Sequence, residues 1–174
     1  MPNCLTQLCS AALLAFSFLV SAHTSQAQAQ AGAQQASLPA AANAAGVLSV
    51  TSAYGMVETV ARLKKDIAAK GIVFFAEVDQ GALAAVAGVP GVRPSVLLMF
   101  GNPPLGTQFL QANQQAGLDW PVRMLVYQDA ATRRVMVAWT DFAWIAKRHG
   151  ITRQPAQFRM ASEVAASIAS AAVK

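Results

Sequence analysis

Two runs rich in β-branched and aromatic residues, 122–128 and 135–140, flank the turn-forming stretch Asp129-Ala130-Ala131-Thr132. Such runs separated by so short a gap predict a β-hairpin. Strands joined that closely pair antiparallel, because a parallel pair needs a long crossover. One antiparallel pair excludes an all-helical bundle and a purely parallel sheet, and the rest of the chain is read around it.

Val47 to Ser52 is a short β-branched run and predicts a first strand. Met56, Val60, Leu63 and Ile67 then recur at spacings of four, three and four, which places them on one stripe of a helix. Gly71 stands where that helix should stop. Ile72 to Val78 predicts a second strand, Gly81 to Val89 a short Ala-rich helical turn, and Val96 to Phe100 a third strand. Thr107 is the expected N-cap of a helix reaching about Ala116, with Gly117 closing it. Phe142 to His149 reads as helix, and beyond Pro155 the residues Ala161, Val164, Ala165, Ile168 and Ala172 form the apolar stripe of a last helix. The expected fold is α+β: a single domain over 47–174 with a largely antiparallel sheet of about five strands, packed against helices on one face.

The N-terminal region has a different character. Ala11 to Ala22 is an apolar stretch of about 12 residues, too short for a bilayer, which needs about 20. Small residues follow it, so 1–27 is expected to be a secretory signal peptide cleaved near Ala27 or Ala29. No lysine or arginine precedes the stretch, and the first charged side chain in the chain is Glu58. Residues 28–46, rich in Ala and Gln, read as a disordered linker. The expected location is periplasmic or secreted, with no transmembrane segment in the mature chain. Both cysteines, Cys4 and Cys9, precede the apolar stretch, so the mature chain would hold no thiol and a single histidine, His149. That excludes disulfides and Cys/His zinc, and any Ser-His or Cys-His pair not built on His149.

The net charge of +5 raises the question of nucleic acid. The basic residues are dispersed, with no run of five or six like charges, so they read as solvated faces and no nucleic-acid partner is expected.

Three sites carry possible chemistry. The first is the corner Gly101-Asn102-Pro103-Pro104-Leu105-Gly106-Thr107. It has two glycines, two prolines that donate no N–H, and no lysine, so it is not a phosphate-binding loop. It reads as a strand end turning into a capped helix, and a helix start also offers unpaired amides to a small anion. The second is the set of acids at strand ends: Glu77, Asp79, Asp119, Asp129 and Asp141, five of the eight in the chain. These are turn-makers and caps in the structural reading, and acid–base groups in the functional one; no metal and no cofactor are expected. The third is His149, placed where a cation offsets a helix dipole. Trp120, Trp139, Trp144, Tyr127 and Phe142 are expected in the core or at a dimer seam, with a pocket wall as the alternative.

The segment from Lys70 to Asp129 and the following "VMVAWTDFAWIAKRHG" resemble the bacterial domain-of-unknown-function 302 family. The motifs that carry the likeness are Phe100-Gly101-Asn102-Pro103, Gly106-Thr107, Gly117-Leu118-Asp119 with Pro121, Tyr127-Gln128-Asp129, and Ala146-Lys147-Arg148-His149. The resemblance implies a TATA-box-binding-protein-like fold (strand, helix, four strands, helix) and a homodimer, but no established activity. Asp79-Gln80 stands where relatives usually carry Asp-His, and Trp120-Pro121 where they carry Leu-Pro. A mechanism that needed the family histidine has no counterpart here.

The expected function is therefore binding of a small molecule, an anion or a protein partner, with Gly101, Asn102, Pro103, Gly106, Thr107, Asp119 and Asp129 as candidate residues and no catalytic residue assigned. The alternatives are an enzyme using Asp119 or Asp129 as acid or base, and a structural homodimeric assembly module.

Overall fold

The computed structural model describes residues 41–173; the expected leader, 1–27, and most of the expected linker, 28–46, lie outside the described residues. The strands are β1 (Val47–Thr51), β2 (Val73–Asp79), β3 (Ser95–Gly101), β4 (Val122–Gln128) and β5 (Val135–Thr140), and the helices are α1 (Met56–Ala69), α2 (Gln80–Val86), α3 (Pro103–Ala112), α4 (Phe142–Arg148) and α5 (Pro155–Ser170), with a 3-10 turn at Gln114–Leu118. The strands form one sheet in the order β1-β5-β4-β3-β2, every pair antiparallel. The fold is α+β, as the sequence predicts, and the hairpin strands fall on the expected residues.

Alternation along the strands decides which side is covered. Leu98 and Phe100 of β3, Met124 and Val126 of β4, and Val137 and Trp139 of β5 are all buried and share one core with α1, α4 and α5. The α1 stripe contributes Leu63 and Ile67, and α5 contributes Phe158, Ala161, Ala165 and Ile168. The small residues of α5 let it lie close to its neighbours. Phe109 of α3 rests 4.3 Å from Phe158 and 6.3 Å from Phe142, so three helices meet at one aromatic cluster. Leu97, Met99, Leu125, Tyr127 and Met136 project to the opposite face of the sheet and are half-buried.

The short helix α2 ends at Val86 instead of Val89, and both ends of α3 differ from expectation for a local reason. The third helix starts at Pro103, and its N-cap is Asn102, whose side chain accepts from the Leu105 N–H. Thr107 lies inside that helix and turns its hydroxyl back onto the Pro103 carbonyl. An asparagine directly before a proline pair is the stronger start signal, because proline is preorganised for the first turn. The helix also ends earlier, at Ala112, because Asn113 adopts extended backbone and caps the 3-10 turn by accepting from Gln115 N–H. At the other end of the domain, Asn43 accepts from the amides of Ala45 and Val47, and the Asp141 amide donates to Gly46 O. Residues 43–46 are thus a turn bonded to the domain.

Gly71 takes φ +65° after α1, the left-handed conformation expected of it.

Leu63 is fully buried at the centre of α1's apolar face. Leu63→Ala should lower the unfolding free energy by about 2–5 kcal/mol, read as a shift of the urea midpoint at unchanged slope.

Candidate functional site

The candidate corner opens onto a cavity of about 450 Å3. Gly101, Asn102 and Gly106 line it on one side, the aromatic side chains Phe100, Phe109, Trp120 and Phe142 form its floor and wall, and α5 closes it with Met160 and Val164. Its volume is within the roughly 300–1,000 Å3 of small-molecule sites. Among the described residues, Lys70 and Glu163 are the only charged side chains that line it.

Trp120 shapes this cavity, and two of the candidate glycines exist for it. A Cβ on Gly106 would overlap the Trp120 indole, and one on Gly101 would sit 3.0 Å from its Nε1. Phe75 packs edge-on against the same ring at 6.0 Å. Gly101 therefore admits a side chain, rather than relaxing the backbone at the strand end. The peptide bond between Trp120 and Pro121 is cis.

The residue before Trp120 is held as firmly. Asp119 is buried, with 3% of its side chain exposed. Its Oδ1 accepts from Arg123 Nη2 at 3.0 Å, both of its oxygens accept from Arg148 Nη1 at 3.2 Å, and its Oδ2 lies 2.6 Å from His149 Nε2. A carboxylate has no proton to give, so the short contact requires the Nε2–H form of His149 to donate. Arg123 also donates to Leu118 O, and Asn113 donates to the His149 carbonyl. A buried carboxylate needs this many partners to offset its desolvation. The network fastens the start of β4 to the end of α4. Sequence reasoning took His149 as a helix-end cation and missed its pairing with Asp119, which lies 30 residues away; the only sequence signal was that a lone acid and a cluster of basic residues stood in motifs of the same family.

The helix start is less open than expected. Pro103 and Pro104 carry no N–H, and the amides of Leu105 and Gly106 both donate to Asn102, through its carbonyl and, for Leu105, also its side chain. No amide of the first turn is left for an anion. Pro103 and Thr107 do not line the cavity.

The remaining acids have local partners. Glu77 pairs with Lys64 at 2.7 Å, Asp79 caps α2 and Asp141 caps α4. Asp129 closes the hairpin by accepting from the Thr132 amide and hydroxyl and from the Ala131 amide. Led by the Thr132 amide, these bonds hold its carboxyl below the usual carboxylate range. Asp129 and Asn102 stand at opposite ends of the paired strands β3 and β4, nine register steps or about 30 Å apart at strand rise. Among the described residues no three His, Cys, Asp or Glu side chains group to hold a metal. Of the other aromatics, Trp139 is in the core, Trp144 packs on Gly46, and Tyr127 is on the far sheet face.

The model of the family described as "Domain of unknown function DUF302" matches residues 48–173, all but a few of the described residues. The chain belongs to the DUF302 family. A crystal structure of an uncharacterized conserved DUF302 protein from Bacillus stearothermophilus superposes with a TM-score of 0.60 at 21% identity, covering 74% of this chain and 97% of that one. At that identity the likeness is one of fold. Among curated proteins, the chain is 37% identical over 106 residues to "Fluoride-specific ion channel FluC 1" of Brucella suis biovar 1 and of Brucella abortus biovar 1. The match takes in 61% of this chain but only 41% and 38% of those proteins. This DUF302 chain thus spans well under half the length of the curated relatives it matches. No described helix is long and apolar enough to cross a membrane.

Removing the charge of Asp119 leaves His149 and two guanidinium groups facing a neutral amide. Asp119→Asn should cost about 1–3 kcal/mol, at the low end because both arginines are part-exposed. Tryptophan emission of the folded variant should shift as well, since Trp120 is the next residue; chemical unfolding and fluorescence spectra check both.

Proposed function

We propose that this DUF302 domain binds a small molecule with an apolar body in the cavity beside Asn102. The observation that carries the reading is the aromatic-walled hollow of about 450 Å3 with an open mouth between α1, α3 and α5. Apolar walls supply most of the affinity of such sites, at about 25 cal/mol per Å2 removed from water, and a few polar groups at the rim set orientation. Asp119, in this reading, anchors the wall, because its oxygens are committed to Arg123, Arg148 and His149. Channel activity is not carried over from the relatives, of which the shared segment is the smaller part.

Val164 lines the cavity and is half-buried, so a larger side chain can fill the hollow from the helix surface. A fluorescence titration of the full chain with 1-octanol should quench or shift tryptophan emission saturably, and Val164→Trp should weaken that binding tenfold or more. Retained affinity in a folded Val164→Trp protein would place any ligand elsewhere.

The reading extends to location and assembly. The short apolar stretch at 11–22 supports export with removal of 1–27, and the half-buried apolar residues on the far sheet face support pairing of two copies. Protein recovered from the medium or periplasm should begin after Ala27 or Ala29 by mass spectrometry and scatter light as twice the mass of one chain; a full-length N-terminus or a monomer would remove the respective claim.

A further inference from the structure

Resting on the cavity reading, we infer that the ligand is an organic cation: an amine whose apolar body fills the hollow and whose ammonium sits at Glu163. Three observations at the mouth point the same way. First, the anion option is closed at the nearest helix start, where two prolines and two amides already donating to Asn102 leave no free N–H. Second, the two charged lining residues are not equivalent. Lys70 is engaged by Asp66 one turn earlier on α1, so that pair is locally neutral. Glu163 is exposed and has no ion pair among the described residues, although Arg159 stands one turn before it on α5. Third, the negative end of the α1 dipole lies at the rim by Lys70, where it favours a cation, and the four aromatic side chains that line the hollow add no positive charge to it.

An unpaired carboxylate over an aromatic hollow discriminates by charge more than by shape. The contact is solvent-exposed, so its effect is modest: an ion pair at such a rim changes affinity by about fivefold.

The test uses the full chain and three probes with one apolar body, octylamine, 1-octanol and octanoate, titrated at neutral pH against tryptophan emission. Octylamine should bind at least about fivefold tighter than octanol, with octanoate weakest. Glu163→Gln should bring octylamine to the octanol affinity and leave octanol unchanged; the exposed position keeps the fold, which thermal unfolding checks. Octanoate binding as tightly as octylamine, or octylamine indifferent to Glu163→Gln, would overturn the charge assignment while leaving the cavity reading in place. Failure of all three probes to bind would overturn both.

Discussion

The geometry of the candidate site depends on a buried carboxylate. Asp119 sits where the 3-10 turn gives way to β4, and it is met there by Arg123 from its own strand and by Arg148 and His149 from the end of α4. An ion in such a place is expensive unless all its lone pairs are used. Here they are, and the result is a fixed corner joining sheet and helix layer. Trp120 leaves that corner in one direction only, across two glycines that have no side chain to obstruct it. The hollow beside it follows from this arrangement: the indole makes one wall, and α5 with its small residues closes over the rest.

Much of the scaffold was legible in the sequence because its signals are local. The β4–β5 hairpin, the α1 stripe through Leu63 and Ile67, the stop at Gly71 and the Asp141 cap each depend on residues within a few positions of one another. The N-cap of α3 lies five residues before the threonine the sequence suggests, because two capping candidates compete and the Asn-Pro-Pro order outweighs Thr107. The site was harder to read. Gly101, Asn102 and Gly106 could be picked out, but their purpose could not, because the partner that explains both glycines is a tryptophan from another element. The pairing of Asp119 with His149 crosses 30 residues of chain and has no periodicity to betray it. The strand-end acids serve separate tasks: Asp79 and Asp141 cap helices, Asp129 closes the hairpin, Glu77 pairs with Lys64, and Asp119 alone bridges distant elements.

The electrostatic character of the mouth follows from which groups are already committed. A helix start ordinarily favours anions, yet here the backbone donors are missing or taken. A lysine at a rim ordinarily does the same, yet this one is balanced by its neighbour on α1. What is left over is one acid and four aromatic rings. Counting residues by sign would have given a basic protein with an appetite for phosphate; counting only the groups without partners gives the opposite polarity at this spot.

The fit of Trp120 over Gly106 has one more consequence, for how such a chain can drift. A methyl at 106 and an indole at 120 cannot occupy the same volume, so neither position is free to vary alone. A lineage that trades the indole for a smaller side chain gains room at 106 and reshapes the hollow in the same step. Ligand preference and helix packing are thereby tied to a single pair of positions.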